Sequence, residues 1–242
     1  MSTPATSQLQ EHARELFGLS LTAEQLTQFD QYFDLLVDWN TRINLTAITE
    51  PDAVVIRHFL DSLSIVKAVE LKSGMRLIDI GTGAGFPGVP LHIVTPGLHT
   101  TLSDSTGKKL TFLDEVITQL GLEHIKTLHA RAEEAGHISH HRASYDVVAA
   151  RAVARLPILV EYLLPLAKVG GVCVAMKGST AFEEAKDATA ACQKLGGEVG
   201  EITEIELPGV ADKHYLVTIH KTSKTPGQYP RKPGIPSRDP LT

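Results

Sequence analysis

The sequence predicts an α/β fold in which a seven-stranded, doubly wound, Rossmann-like sheet follows a helical N-terminal extension. Two observations predict it: short apolar runs alternate with helical patterns after Gly74, and the last two runs lie too close together for a crossover helix. Strands are expected at residues 76–80, 100–103, 125–129, 145–149, 172–176, 198–207 and 215–220. Helices are expected between them at 88–94, 108–120, 157–169 and 181–195. Because only a hairpin fits between the last two strands, the final strand should run antiparallel.

The residues before Gly74 predict helices. Thr22 and Gln25 have the spacing of a capping box, and apolar residues then recur at helical intervals. Pro51 begins a second segment with the same periodicity. Residues 223–242 contain five prolines and are expected to form no regular structure. The predicted organisation is a helical extension at 1–73, an α/β domain at 74–222 and a basic, proline-rich tail at 223–242.

Composition limits the classes of function. The 242 residues are 43% hydrophobic and 21% charged, which is typical of a globular protein. No apolar run has the roughly 18 residues of a membrane span, and the first 16 residues lack the pattern of an export signal. A cytoplasmic protein without a membrane partner is therefore expected. Cysteines and histidines show no metal-ligand spacing, so no metal is expected. Cys173 is interpreted as a core residue, and five clustered histidines as solvated loop residues: His124, His129, His137, His140 and His141.

Charge is distributed unevenly along the chain. The formal net charge is −5, but the first 50 residues are strongly acidic and the residues after Lys213 are strongly basic. The basic end is a candidate phosphate-binding region, although a flexible, solvated tail would have the same composition. Charge alone leaves both interpretations open.

The loop after the first strand carries the clearest functional signal, in the segment from Asp79 to Gly88. Its glycines let the backbone approach a ligand, and ligands bind beyond the carboxyl ends of parallel strands. Residues 83–88 also match the dinucleotide fingerprint G-x-G-x-x-G, with Asp104 placed to hold ribose hydroxyls of either nucleotide. Asp79 favours a cofactor with a sulfonium and an amino group over one with a pyrophosphate. S-adenosylmethionine is therefore favoured, and a nicotinamide oxidoreductase is the alternative.

Later strand ends add candidates to the same edge of the sheet. Glu133 follows the third strand, where it would contact an adenine ring or be a solvated charge. Arg151 follows the fourth strand and is either a cleft residue or an ion-pair partner, and Lys177 follows the fifth, where it could meet phosphate. The sequence has neither an Asn-Pro-Pro-Tyr-like segment nor a Pro-Cys pair, which disfavours exocyclic amines and pyrimidine C5 as methyl acceptors. A ring nitrogen, which needs no general base, remains.

These motifs resemble the bacterial 16S ribosomal RNA guanine-N7 methyltransferases, the small-subunit methyltransferase G or glucose-inhibited division protein B family. The resemblance covers nearly the whole chain. It is carried by Trp39-Asn40, Asn44-Leu45-Thr46, Arg57-His58-Phe59-Leu60-Asp61-Ser62, Ala150-Arg151-Ala152 and residues 79–88, 104–109, 131–133 and 229–236. It implies the class I S-adenosylmethionine-dependent methyltransferase fold. It further implies methylation of a guanine N7 in the 530 loop of 16S ribosomal RNA, with the small ribosomal subunit as partner.

Site residues follow from the motifs and from the resemblance together. The expected cofactor-binding residues are Asp79, Gly81, Gly83, Phe86, Asp104, Ser105, Thr106, Ala132, Glu133 and Arg151. The expected RNA-binding residues are Arg57, His58, Lys108, Lys109, Lys177, Arg231 and Lys232. No catalytic group is expected beyond Arg151 and Lys177 as positioning residues, and Arg57 could instead pair with Asp61. The remaining alternatives are another S-adenosylmethionine-dependent methyltransferase, including one acting on a small molecule, and a non-catalytic RNA-binding module.

Overall fold

A seven-stranded sheet forms the centre of the computed structural model, which describes residues 4–241. The sheet order is β3-β2-β1-β4-β5-β7-β6. The strands are β1 (Arg76–Ile80), β2 (His99–Asp104), β3 (Ile125–His129), β4 (Tyr145–Arg151), β5 (Ala167–Lys177), β6 (Gly197–Ile205) and β7 (His214–Lys221). Strands β1 to β5 pair in parallel, whereas β7 lies antiparallel between β5 and β6. The predicted fold class and the antiparallel last strand are confirmed.

Helices cover both faces of the sheet. They are α1 (Pro4–Phe17), α2 (Ala23–Asn40), α3 (Pro51–Val54), α4 (Asp61–Leu63), α5 (Gly88–Val94), α6 (Gly107–Gln119), α7 (Ala132–Ala135), α8 (Leu156–Leu163), α9 (Ala181–Asp187), α10 (Thr189–Lys194) and α11 (Ile235–Arg238). A π-helical segment, Val55–Leu60, joins α3 to α4, and a 3₁₀ turn, Ser64–Lys67, follows α4. The predicted capping box of Thr22 and Gln25 begins α2. No helix among residues 4–241 is long and apolar enough to cross a membrane.

Side chains of one strand alternate between two hydrophobic cores. In β1, Leu77 packs in the core that contains α1, α2, α5 and α6, whereas Ile78 and Ile80 pack in the core that contains α8, α9 and α10. This follows from the two-residue period of a strand that is buried on both faces. The N-terminal helices therefore share a core with the sheet. The predicted domain boundaries stay predictions, and residues 1–3 and 242 lie outside the described part of the chain.

Two predicted helices have different bounds in the structure. The segment expected at 157–169 is helical only to Leu163, because Ala167 already begins the long strand β5. The apolar run extends through both elements, so its periodicity does not show where the helix ends. The segment expected at 181–195 is divided into α9 and α10 at Ala188.

The C-terminal tail is docked on the domain, so the alternative of a solvated, flexible tail and the expectation of no regular structure are both wrong. The short helix α11 lies in it, and Tyr229 and Leu241 are buried. The prolines of the tail have no amide hydrogen to donate. The Arg142 guanidinium instead donates hydrogen bonds to the carbonyls of Thr225, Pro226 and Tyr229. These contacts hold residues 225–229 against the domain before α11 begins.

One histidine expected in solvent is buried. His141 is enclosed and shares a hydrogen bond with the hydroxyl of Tyr145, and burial lowers the pKa of its imidazole to about 4. Cys173 lies in the core as expected. Among the described residues, no group of three or more His, Cys, Asp or Glu side chains could hold a metal ion.

The tail depends on an ion pair that can be tested. The Arg231 guanidinium binds Glu161, whose side chain is 1% exposed, through a 2.7 Å contact. Arg231→Ala should lower the free energy of unfolding by about 3 kcal/mol, because the buried carboxylate loses its cation. Urea denaturation measures this change. The matched control is Lys232→Ala at the neighbouring exposed position, which should change stability by less than about 0.5 kcal/mol. Equal midpoints for the two variants would contradict the assignment.

Candidate functional site

The glycine loop after β1 is shaped by the buried carboxylate of Asp79. Its Oδ2 accepts hydrogen bonds from the Thr82 hydroxyl at 2.7 Å and from the Gly88 amide at 2.9 Å. Burial raises the pKa of Asp79 to about 6, against the lowering effect of these two bonds. The carboxylate is fully enclosed. The burial of Asp79 does not fit the expected direct contact with a cofactor, and its carboxylate holds the loop that borders the site.

Three glycines in the loop have positive φ, which is +68° at Gly81, +61° at Gly83 and +99° at Gly85. A Cβ on Gly81 would lie 2.6 Å from the Cγ2 of Val153, whereas a Cβ on Gly83 would meet only a carbonyl oxygen 3.9 Å away. Gly81 is thus required for close packing, and Gly83 for its backbone conformation alone. Gly83 also donates its amide to Asp104 at 3.0 Å.

A cavity of about 390 Å³ lies beyond the carboxyl ends of β1, β2 and β3. Six predicted cofactor-binding residues line it: Gly81, Asp104, Ser105, Thr106, Ala132 and Glu133. Asp104 accepts the Gly83 amide on one oxygen and the Thr106 amide, at 2.8 Å, on the other. Each carboxylate oxygen keeps a second lone pair for a hydroxyl donor. The first cavity therefore offers a fixed acceptor for a diol.

Phe86 does not line this first cavity, and that expectation is corrected. Its side chain is 4% exposed and its ring lies 4.6 Å from the imidazole of His58 and 5.4 Å from the ring of Tyr32, between centroids. The aromatic side chain is drawn into the core that joins the N-terminal helices to the sheet. Phe86 therefore supports the glycine loop from the side of this core.

The tail supplies part of the first cavity, which the sequence did not reveal. Gly234 and Ser237 lie on its wall together with Tyr162. Glu133 accepts the amide of Gly234 at 3.0 Å, and the Tyr162 hydroxyl lies 3.1 Å from Ser237 Oγ. Glu133 thus binds the tail and also lines the first cavity. Its partner lies 101 residues away in the chain, so no local sequence pattern reports this contact.

A second cavity of about 530 Å³ lies on the other side of Ala152, which lines both cavities. Asp61 lies on its wall, with one oxygen 2.8 Å from Arg151 and the other 3.1 Å from Nδ1 of His214. The hydrogen bond to Asp61 raises the pKa of His214. Arg151 also donates to the carbonyl of Arg57. Both interpretations of Arg151 hold, since it is an ion-pair partner and a cleft residue, but it lines the second cavity and not the first.

The chain matches the model of one protein family over residues 25–214, and this family is described as GidB, rRNA small subunit methyltransferase G. The chain belongs to this family. A relative from Pelotomaculum thermopropionicum is 48% identical over 233 residues, which cover 96% of this chain and 97% of the relative. One from Thermoanaerobacter sp. (strain X514) is 46% identical over 241 residues and 100% of both chains. Both are named ribosomal RNA small subunit methyltransferase G.

Solved structures support the fold of this GidB family member. An S-adenosylmethionine-dependent O-methyltransferase from Thermotoga maritima superposes with a TM-score of 0.54 and 18% identity, covering 79% of this chain and 72% of that one. TrmN from Thermus thermophilus gives 0.52 and 19%, covering 69% of this chain and 53% of that one. At these identities the likeness shows the fold alone.

S-adenosylmethionine is the cofactor of this GidB family member, and the residues of the first cavity fit it. The spare lone pairs of Asp104 suit ribose hydroxyls, and the missing side chain at Gly81 leaves the wall beside Val153 open. The family assignment also removes the nicotinamide oxidoreductase from consideration.

The residues expected to contact RNA separate into two groups. Lys108 and Lys232 are exposed, Arg57 is 42% exposed, and Lys109 is 31% exposed and lies 3.9 Å from Asp104. The other three are engaged internally: His58, Lys177 and Arg231. Lys177 lies 2.8 Å from Glu184 and Arg231 binds Glu161, because buried carboxylates require cations.

His58 and Arg57 also differ from expectation in their partners. His58 shares a 2.7 Å hydrogen bond with Thr46, and burial lowers the pKa of His58 to about 4, so it is a neutral core group. The alternative pairing of Arg57 with Asp61 is wrong, since Asp61 binds Arg151 and the Arg57 guanidinium lies 3.8 Å from Asp212.

Gly81 and Gly83 give a matched pair of variants. Gly81→Ala should weaken binding of S-adenosylhomocysteine more than about ten-fold, because the new methyl group collides with Val153 in addition to the strain of about 1 kcal/mol or more from a positive φ. Gly83→Ala should lose less, because it carries the strain alone. Isothermal titration calorimetry measures both affinities. Adding Val153→Ala should partly restore G81A and leave G83A unchanged; restoration of both, or of neither, would contradict this geometry.

The raised pKa of Asp79 predicts a pH-dependent stability. Below about pH 4 the carboxyl is protonated in both the folded and the unfolded chain. As the pH rises to about 6, the unfolded chain loses this proton first, so the free energy of unfolding falls by up to about 3 kcal/mol. Urea denaturation between pH 4 and 7 should show this fall in wild type but not in Asp79→Asn. The exposed control Asp34→Asn should keep it; parallel curves for D79N and wild type would refute the prediction.

Proposed function

We propose that this chain transfers the methyl group of S-adenosylmethionine to N7 of a guanine in the 530 loop of 16S ribosomal RNA. The substrate is the small ribosomal subunit or its RNA, the reaction takes place in the cytoplasm, and no metal takes part. The observation that carries the proposal is the pair of cavities that meet at Ala152. One fits a nucleoside cofactor, and the other is large enough for a nucleobase.

Guanine N7 requires little chemistry from the protein. Its lone pair lies in the plane of the ring and is available without removal of a proton, so no general base is needed. S-adenosylmethionine supplies an electrophilic methyl group on its sulfonium. The task left to the protein is to hold N7 in line with that methyl group, which is catalysis by positioning.

Arg151 and His214 are the positioning groups of the second cavity. Asp61 holds both through separate oxygens and is itself 4% exposed, so the two side chains have fixed orientations. A hydrogen-bond donor of Arg151 suits the O6 acceptor of guanine and leaves the lone pair of the neighbouring N7 free for the methyl group. Lys177, on the same wall, is fixed by Glu184 and acts as a support.

The exposed basic residues provide the contact with RNA phosphates. Lys109 lies on the wall of the first cavity, and Lys108 precedes it at the start of α6. Lys232 lies in the tail beside Gly234, and Arg57 lies within the π-helical segment. Phosphate contacts of this kind make binding weaker as salt rises.

The test is to map the modified nucleotide. Small subunits from cells that lack this protein are incubated with purified protein and methyl-labelled donor, and the RNA is analysed by mass spectrometry of nuclease fragments. Wild type should add one methyl group at N7 of a guanine in the 530 loop. Asp104→Ala, which removes the diol acceptor, should reduce transfer at least ten-fold at limiting donor.

Three outcomes would overturn the proposal. A methyl group on another atom or in another region of the RNA would assign a different RNA methyltransferase. Transfer to a small molecule and to no ribosomal substrate would assign a small-molecule enzyme. Binding of RNA without transfer, by protein that binds S-adenosylhomocysteine, would assign a non-catalytic module.

A further inference from the structure

Phe182 is an unusually exposed aromatic residue. Its side chain is 59% exposed, and among the described residues the only other large apolar side chain with comparable exposure is Val169, at 51%. A single exposed apolar side chain needs no explanation by itself. The location of Phe182 therefore decides whether it has a function.

That location is the rim of the second cavity. Phe182 lies between Ser179 and Glu184 in the chain, and both of these line the cavity. Its ring also contacts Tyr215, a third wall residue, at 5.4 Å between centroids with an interplanar angle of 77°. Tyr215 is 5% exposed and rigidly placed on β7. This edge-to-face contact supports Phe182 and leaves most of its ring in solvent.

The charges around Phe182 leave one exposed cation available to a phosphate. The acidic residues Glu183 and Asp187 on α9 are both within 3.5 Å of the Arg155 guanidinium, which offsets one of their two negative charges. Lys186 is exposed one helical turn after Phe182. An aromatic face with a cation one turn away is the combination that binds unpaired nucleotides, through stacking and phosphate contact.

We propose that Phe182 stacks on an unpaired nucleobase of the RNA, next to the base that enters the second cavity, with Tyr215 as its support. This inference rests on the proposed function, because it requires an RNA acceptor. A base that is methylated inside a cavity must leave its stack, and its neighbours then lose their own stacking partners. An aromatic ring at the rim replaces the lost partner.

The test compares Phe182→Ala, Phe182→Trp and Val169→Ala. F182A should raise KM for small subunits at least five-fold, the lower end of what loss of one base stack causes. Its kcat and its affinity for S-adenosylhomocysteine should stay within two-fold of wild type. F182W should keep the wild-type KM because it retains a stacking face. V169A removes an equally exposed side chain at the other end of β5 and should change nothing.

A second readout reports the stack directly. Deproteinised 16S RNA should quench the fluorescence of F182W more than that of wild type, in which Trp39 is the only tryptophan. F182A should also bind this RNA at least five-fold more weakly than wild type does.

Several results would overturn the inference. A KM for F182A equal to wild type would remove Phe182 from the interface. If F182A bound small subunits more weakly but bound deproteinised RNA as tightly as wild type, Phe182 would contact a ribosomal protein and not the RNA. Loss of S-adenosylhomocysteine binding by F182A would mean a structural role. If wild type is active and F182A has the same KM, only this inference is refuted. If wild type methylates no guanine N7, the proposed function is refuted.

Discussion

The architecture of the site depends on one buried carboxylate oxygen. Asp79 Oδ2 holds the Thr82 hydroxyl and the Gly88 amide, near the beginning and at the end of the glycine loop. The loop in turn presents the Gly83 amide to Asp104, which fixes the orientation of that carboxylate on the wall of the first cavity. Enclosing a carboxylate costs free energy, as its raised pKa shows, and the two hydrogen bonds offset part of that cost. The buried carboxylate of Asp79 is nevertheless required, because its hydrogen bonds position the glycine loop and, through Gly83, the carboxylate of Asp104.

Ion pairs attach the outer segments of the chain to this centre. Asp61 belongs to the N-terminal extension and binds Arg151 at the end of β4, while Arg231 of the tail binds Glu161 of α8. Each pair joins residues at least 70 positions apart and places its segment against a cavity. The extension therefore contributes to the wall of the second cavity and the tail to the wall of the first. Both segments belong to the site, because each supplies part of a cavity wall that the sheet alone lacks.

The sequence predicted the fold well because both signals it used are local. Alternating apolar patterns located all seven strands, and the rule that ligands bind at strand ends located Gly81, Asp104 and Glu133. The errors have a common cause. Whether Lys177 or Arg231 is free or paired depends on carboxylates far away in the chain, which no local pattern reports. Likewise His214, Tyr162 and Ser237 reach the site only through long-range packing. Sequence motifs identify residues at the strand ends that line the cavity. They do not identify residues that long-range packing places beside them.

An acidic protein that binds RNA needs an affinity source other than charge. The net charge is −5, and three of the seven residues expected to contact RNA are engaged inside the protein. The remaining exposed cations provide a weak and sequence-independent attraction. Recognition must then rest on the nucleobases, through a cavity that takes one base and an aromatic rim that stacks on another. Such a design binds poorly to uninterrupted duplex, since its contacts require bases that are already out of the stack. Selectivity for a loop then follows from contacts with unstacked bases, because phosphate contacts alone would hold any RNA equally well.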